Sequence, residues 1–133
     1  MNVIELKKII KLFLETKADR VYDGWGRPKT GYPYVTYTLN YSVTDTNMTM
    51  EHFMLDIDIW DNKPLDTTEL ETISGEIDGD GDIRNATGLH RRRYYVSKTV
   101  TADFYKESRN DIEDEDPNIR RRQLRYEVLV YLN

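Results

Sequence analysis

The chain ends in two long alternating segments, RYYVSKTVTADFYK at residues 93–106 and IRRRQLRYEVLVYL at residues 119–132. Apolar and polar side chains alternate in both, which is typical of β-strands with one buried face. Residues 107–118, ESRNDIEDEDPN, connect the two segments. This connection is too long for a tight turn and is highly charged, so we expect it to project into solvent between two antiparallel strands.

The first half of the chain predicts a similar unit. Residues 33–43 and 49–60 alternate in the same way and are joined by a polar turn at 45–47, which is a β-hairpin pattern. Residues 2–17 carry apolar side chains at helical spacing, and a weaker apolar stripe follows Pro64, at Leu65, Leu70, Ile73 and Ile77. The sequence therefore predicts a single α+β domain over residues 1–133, of order α-β-β-α-β-β, with a mainly antiparallel sheet packed by two helices.

Charge and composition argue against several classes of protein. The chain has 24 acidic and 19 basic residues and a net charge of −5, whereas a general nucleic-acid binder is basic over its whole domain. Cysteine is absent, which excludes disulfides and thiolate metal sites. No segment approaches the roughly 18 apolar residues of a membrane span, and the N-terminal segment lacks the apolar core of a signal peptide. We therefore expect a soluble protein made inside the cell.

One pair of carboxylates has the chemistry for acid–base catalysis. Asp56 and Asp58 lie two residues apart on a predicted strand, so they share a face, and His52 lies on that same face. Such pairs are far more often the solvated outer face of a strand. The sequence contains no nucleophile elbow and no phosphate-binding glycine motif. We predict that the protein is not an enzyme and uses no cofactor.

Residues 76–87 partly match the calcium-binding loop of an EF-hand. Several acidic positions agree, but Thr87 stands where the loop needs a bidentate glutamate, and a predicted strand follows instead of a helix. Calcium requires six to eight well-placed oxygens. The sequence therefore predicts a solvated acidic turn and no metal site.

Three charged clusters surround the last two predicted strands, and they are our candidate contact residues. They are Arg91, Arg92 and Arg93, then Asp111, Glu113, Asp114, Glu115 and Asp116, then Arg120, Arg121 and Arg122. In one interpretation, charged strand ends discourage edge-to-edge aggregation. In the other, the acidic cluster of one subunit meets an arginine cluster of the next. We predict contacts with neighbouring subunits or an adjoining tube ring.

The layout as a whole resembles a known family. The element order and the segments YPYVTY at 32–37, LDIDIW at 55–60 and LRYEVLVY at 124–131 are similar to tail-terminator proteins of long-tailed bacteriophages and related prophages, also called tail-completion or head–tail joining proteins. The resemblance covers nearly the whole chain. It implies an α+β fold that assembles into a hexameric ring in the virion neck. The ring caps the tail tube, ends its polymerisation and faces the head-side connector.

The same resemblance implies the partners. These are further copies of the chain, the major tail tube protein and the head-side connector or stopper protein, with no membrane involved. Assembly takes place in the host cytoplasm, and DNA passes through the ring without being read. An acidic protein is compatible with that passage, since an acidic lining does not trap phosphates.

Three alternatives stay open at the level of sequence. The first is another neck component of the same particle, such as a head-closure (stopper) protein, which only the identity of its partner would distinguish. The second is a small hydrolase or ligand-binding α+β domain that uses His52, Asp56 and Asp58, for which a deep pocket lined by those residues would speak. The third is a calcium-dependent module over residues 76–87.

Overall fold

The computed structural model describes residues 3–24, 31–44 and 50–132, without the side chains of residues 42–44. The turn predicted at 45–47 lies outside these residues. The described elements are α1 (Val3–Glu15), β1 (Val21–Asp23), β2 (Tyr34–Thr44), β3 (Met50–Asp61), α2 (Thr68–Asp78), β4 (Arg93–Ser97), β5 (Val100–Glu113) and β6 (Arg120–Leu132). The α+β class with two helices is confirmed, whereas the predicted element order lacks two of the strands.

The strands form a six-stranded sheet of order β1-β2-β3-β6-β5-β4. Strand β1 runs parallel to β2, and the other neighbouring pairs are antiparallel. The sheet is therefore mixed, although mainly antiparallel as predicted. Strand β6 lies between β3 and β5 and pairs with β3 continuously from Met50↔Tyr131 to Asp61↔Arg120. This β3–β6 ladder joins the two predicted hairpins into one sheet.

Strand β1 was missed because it lies in a turn-rich segment and has only three residues. Its strand conformation comes from β2: the amide of Val35 donates to the carbonyl of Arg20 at 2.8 Å, and the amide of Gly24 donates to the carbonyl of Tyr37 at 3.0 Å. Three residues carry too little alternation to be recognised as a strand.

The C-terminal hairpin also differs from the prediction. Residues 93–106 are two strands, β4 and β5, because the chain reverses between Ser97 and Val100. Strand β5 then continues to Glu113, so the prediction that residues 107–118 are a solvent-projecting connection is wrong for most of their length. Opposite charges face each other across the β5–β6 ladder, at Asp111↔Arg122 and Glu113↔Arg120, which favours pairing of this polar segment.

One face of the sheet packs against both helices and forms the core. Its buried residues are Leu6, Ile10, Phe13 and Leu14 of α1, Leu70, Ile73 and Ile77 of α2, and inward side chains of β2, β3, β5 and β6, among them Val35, Leu55, Ile57, Phe104, Leu124 and Val128. Each such side chain stabilises the fold by about 1.5–3 kcal/mol when fully buried. We call the opposite, helix-free side of the sheet the outer face.

Helix α2 begins later than Pro64, the position the sequence favours. The Asp66 carboxylate accepts the backbone N–H of Thr68 at 3.0 Å, which holds residues 66–68 in a turn before the helix. Leu65, assigned to the apolar stripe, is 98% exposed, whereas the other three stripe residues are buried. No described helix has the length and apolar content to cross a membrane.

Candidate functional site

The outer face carries aspartates buried beneath arginines. In the β3–β6 ladder Asp56 lies opposite Arg125, whose Nε donates to Asp56 Oδ1 at 2.7 Å and whose Nη2 donates to Oδ2 at 3.3 Å. Arg121 Nε donates to Asp58 Oδ1 at 3.0 Å, and its guanidinium group lies 4.6 Å from the centroid of the Trp60 ring. Because long arginine side chains cover them, Asp56 and Asp58 are only 6% and 2% exposed.

This arrangement corrects the expectation of a solvated strand face. The residues do point away from the helices, but the aspartates are buried and ion-paired. Burial raises the pKa of Asp58, and the Arg121 guanidinium opposes that rise. His52 Nδ1 lies 3.1 Å from Oε1 of Glu127 on the neighbouring strand. His52, Asp56 and Asp58 are thus each engaged with a partner in the same chain.

A further ion pair of the same kind joins β4 and β5. Arg93 lies directly opposite Asp103, and its Nε and Nη2 donate to the two carboxylate oxygens at 2.7 and 2.8 Å. This bidentate geometry is the strongest arrangement that an arginine and a carboxylate can adopt. It raises the pKa of the Arg93 guanidinium. The charge of Arg93 is therefore balanced by Asp103 of the same chain.

The three arginines at the start of β6 diverge to different places. Arg120 Nε donates to the Pro64 carbonyl at 2.9 Å, and Arg121 lies on the outer face. Arg122 is buried on the helix side, where its Nε lies 2.8 Å from Asp111 and its Nη1 lies 2.7 Å from Glu71 of α2. This guanidinium lowers the pKa of both carboxyl groups. The subunit contacts predicted for these residues stay a prediction.

Between β5 and β6 the chain forms a tight acidic turn. We call Glu113–Asp116 the acidic tip. Asp114 Oδ1 accepts the N–H of Asp116 at 3.0 Å, and Asp116 Oδ1 accepts the N–H of Asn118 at 2.9 Å, so these two carboxylates fix the turn. The side chains of Glu113 and Glu115 are exposed. The tip thus presents the exposed carboxylates of Glu113 and Glu115 at one end of the sheet.

The loop between α2 and β4 folds back on the end of α2. The amides of Leu89 and His90 donate to the carbonyls of Ile77 and Asp78 at 2.6 and 3.2 Å. This return brings the Gly79 and Gly88 backbones into contact, since a Cβ on Gly88 would lie 2.4 Å from the Gly79 nitrogen. The carboxylates of the loop point at backbone amides: Asp80 Oδ1 accepts the N–H groups of Asp82 and Thr87 at 3.0 and 3.2 Å.

The hydrogen bonds to Asp80 argue against a calcium site of the EF-hand type. The N–H groups of Asp82 and Thr87 lower the pKa of the Asp80 carboxyl and hold its carboxylate against the loop backbone. Throughout the described chain, no group of three or more histidine and acidic side chains is arranged to hold a metal ion. Residues 76–78 thus end helix α2, and residues 79–87 form a structured acidic loop in which backbone N–H groups bind the Asp80 carboxylate that a cation would need.

The same loop forms one wall of a cavity at the β4 edge of the sheet. The cavity has a volume of about 480 Å³ and is lined by Arg84, Arg91, Arg92 and Arg93 together with Tyr95 and Tyr105. We call it the arginine pocket. Sequence reasoning found the cluster Arg91–Arg93 but missed Arg84 and the two tyrosines, because only the folded loop brings them beside the strand edge. In the sequence, the only indication of this pocket is the run Arg91–Arg93 that follows the loop.

The arginine pocket and the acidic tip lie far apart on the molecule. Asp103 of β5 borders the pocket, and Glu113 ends the same strand at the tip. Since a strand advances about 3.3 Å per residue, roughly 30 Å separates the two sites. They are therefore two distinct surfaces of opposite charge.

Comparison with known proteins gives a likeness of fold. No protein-family description matches the sequence, and neither does any curated protein. Among solved structures, the fold is similar to a chain of the "virion of native gene transfer agent (GTA) particle", with a TM-score of 0.62 and 12% sequence identity. The match covers 92% of this chain and 94% of that chain. The α+β arrangement described above is thus shared, over almost its full length, with a chain of a virion particle.

Proposed function

We propose that this protein is a structural component of a phage-type virion and, within it, the tail terminator. In this role it forms a ring of six copies that caps the tail tube, ends its polymerisation and meets the head-side connector. The observation that carries the proposal is the near-complete fold match to a chain of a virion particle. The resemblance of the strand segments at 32–37, 55–60 and 124–131 to tail terminators supplies the finer assignment.

The distribution of charge supports assembly into a ring. A closed ring needs two different, complementary patches on each subunit, since every subunit contacts a neighbour on either side. The acidic tip and the arginine pocket are two such patches, and they lie at opposite ends of β5. The net charge of −5 is compatible with DNA passing through the ring without being held.

The state of the outer-face carboxylates supports a non-enzymatic role. Asp56 and Asp58 are buried under Arg125 and Arg121, so a substrate would first have to break two ion pairs. Of the two, the Arg121–Asp58 pair is the more buried, and removing one partner of a buried ion pair costs about 3–5 kcal/mol. A structural assignment explains the pairs without further assumptions, because they join the central strands of the sheet.

The direct test uses tail tubes assembled in vitro from the major tail tube protein of the same particle. Gold-labelled protein is added, and label positions are scored by electron microscopy. We expect label at one end of the tubes and an arrest of further elongation. As a control, labelled protein is added to isolated connector rings.

Binding to the connector rings without binding to tube ends would reassign the protein as a head-closure or other neck component. Binding to neither would contradict a role in the virion neck. Light scattering on the complexes then measures the copy number, for which the proposal expects six subunits of 15.8 kDa each.

A further inference from the structure

We propose that the arginine pocket of one subunit receives the acidic tip of a second copy of the chain. This inference rests on the ring of the proposed function and names its subunit contact. It assigns the roles that the sequence left open. The site that receives the tip is formed by the cluster Arg91–Arg93 together with Arg84, and the inserted segment is the tip with Glu113 and Glu115. The cluster Arg120–Arg122 does not receive the tip.

The pocket carries uncompensated positive charge. Arg93 is paired with Asp103, but in the described part of the chain no carboxylate forms an ion pair with Arg84, Arg91 or Arg92. Arg92 is held in place by carbonyls: its Nε donates to Gly88 at 2.8 Å and its Nη2 to Ala86 at 2.6 Å. Asp103 also lines the pocket and offsets Arg93, so the remaining arginines leave the site with a net positive charge that attracts an incoming anion. The pocket is thus suited to a carboxylate ligand.

The backbone around the pocket contains a strained arginine. Arg91 has φ = 65°, a left-handed backbone conformation that residues other than glycine rarely adopt. The strain is held by two backbone bonds across to β5, from Arg91 N to Phe104 O at 2.7 Å and from Phe104 N to Arg92 O at 3.0 Å. A glycine would satisfy this turn at lower cost. The arginine at this position therefore points to a use for its side chain beyond folding.

Apolar surface accompanies the charge on both sides of the proposed contact. Tyr95 and Ile83 at the pocket are 74% and 72% exposed. At the tip, Pro117 and Ile119 border the acidic residues. Covering these groups would exclude water from the ion pairs, which strengthens them because the effective dielectric constant falls. Tyrosine and arginine are also the residues enriched at the centres of protein interfaces.

The geometry requires the tip to come from another molecule. Pocket and tip lie roughly 30 Å apart along β5, so a subunit cannot fill its own pocket. In the ring of the proposed function, each subunit inserts its tip into one neighbour and receives the tip of the other, so the contact is heterologous. The net charge of −5 disfavours nucleic acid as the occupant.

A charge-swap experiment tests the contact. The pocket variant is Arg84→Glu with Arg91→Glu, the tip variant is Glu113→Lys with Glu115→Lys, and all four positions are exposed. Sedimentation velocity at low salt measures self-association of each variant and of an equimolar mixture. We expect each variant alone to associate about tenfold more weakly or worse than wild type, and the mixture to regain association. Thermal unfolding like that of wild type confirms that each variant folds.

The matched control reverses two lysines on the exposed side of α1, Lys8→Glu with Lys11→Glu, and so makes the same change in net charge as the pocket variant. It is expected to associate like wild type. The inference is overturned if wild type stays monomeric at low salt, if the variants associate like wild type, or if the mixture is not restored. Binding of a short DNA duplex to wild type that is lost in the pocket variant, with self-association unchanged, would reassign the pocket to nucleic acid.

Disulfide trapping gives a second measurement. The chain has no cysteine, so Arg84→Cys and Glu115→Cys in two separate proteins allow one mixed disulfide besides the two homodimers. Mixing them under mild oxidation should give the covalent heterodimer, identified by its mass when one of the two proteins carries a tag, and the pair Lys11→Cys with Glu115→Cys should not give it. Capping of tail tubes is scored separately: if the variants still cap tubes, the contact fails and the proposed function stands. If the swap restores association but wild type never caps tubes, the contact stands and the proposed function fails.

Discussion

The hydroxyl of Tyr126 on β6 donates a hydrogen bond to the carboxylate of Asp78, the last residue of α2. Both residues are buried, and Lys106 Nζ lies 2.9 Å from the second oxygen of Asp78. An aspartate at a helix C-terminus is unfavourable because the helix dipole is negative there, so these two donors offset a local cost. Burial and the Asp78 carboxylate together raise the pKa of Tyr126. The bond ties α2 to the centre of the sheet.

The variant Tyr126→Phe should therefore destabilise the fold. It leaves a buried carboxylate oxygen without its donor, which costs about 1–3 kcal/mol. Urea denaturation followed by circular dichroism measures the difference. Tyr131→Phe on the same strand is the control, because Tyr131 is only partly buried, and a loss of equal size in both variants would contradict the assigned role.

Asp61 lies at the end of β3, and we expect its replacement by asparagine to stabilise the fold. It is fully buried, its Oδ1 accepts the N–H of Asn62 at 2.9 Å, and its Oδ2 has no hydrogen-bond partner within the described residues. Burial raises the pKa of this carboxyl group. Asp61 thus binds a proton more tightly in the folded state than in the unfolded state. Its charged form destabilises the fold, and this loss of stability is relieved as the pH falls.

The variant Asp61→Asn should therefore be more stable than wild type at neutral pH, by about 1 kcal/mol. The advantage should shrink as the pH falls through the folded-state pKa of Asp61 towards the ordinary aspartate value near 4. Urea midpoints across this range measure it. Asp66→Asn is the contrasting control, because hydrogen bonds from Thr68 lower the pKa of Asp66 and its contribution has the opposite sign. An advantage that grows on acidification would contradict this account.

Glycine-to-alanine changes at Gly88 and Gly75 should have opposite effects on stability, because Gly88 is packed against Gly79 and Gly75 is not. Gly88→Ala would place a Cβ 2.4 Å from backbone atoms of Asp78 and Gly79, which forces the loop to move and should cost about 2 kcal/mol or more. Gly75→Ala, inside α2, meets nothing within 4 Å and should stabilise the helix by about 0.5–1 kcal/mol. Thermal unfolding of both variants measures the contrast. A neutral Gly88→Ala would show that the loop base is not closely packed.

Replacing Arg91 by glycine should change stability and self-association in opposite directions. Arg91→Gly should raise the free energy of unfolding by about 1 kcal/mol, since glycine adopts φ = 65° without a steric penalty. The same variant should weaken self-association, because it removes one arginine of the pocket. Chemical denaturation and sedimentation velocity measure the two quantities on one sample. A variant that is more stable and associates like wild type would mean that Arg91 has no part in the contact.

Local pattern predicted those elements whose periodicity is strong. The stripe of Leu6, Ile10 and Phe13 in α1 and the alternation in β2, β3 and β6 were recognisable because one face of each is buried in the core. Strand β1 and the polar half of β5 were not, since both exist through hydrogen bonds to a neighbouring strand. The polar half of β5 has one partly buried apolar residue, Ile112, between charged neighbours, so its sequence alone resembles a loop.

The same division holds for the candidate site. The sequence by itself determined the α+β class, the charge of each cluster and the alternation that puts Asp56 and Asp58 on one face, because these depend on residue type and period. Only the tertiary structure decided which charges stay free. The β3–β6 ladder pairs Arg121 and Arg125 with aspartates distant in sequence, and the return of the loop onto α2 places Arg84 beside Arg91. An ion pair depends on distance in space, and the fold sets that distance.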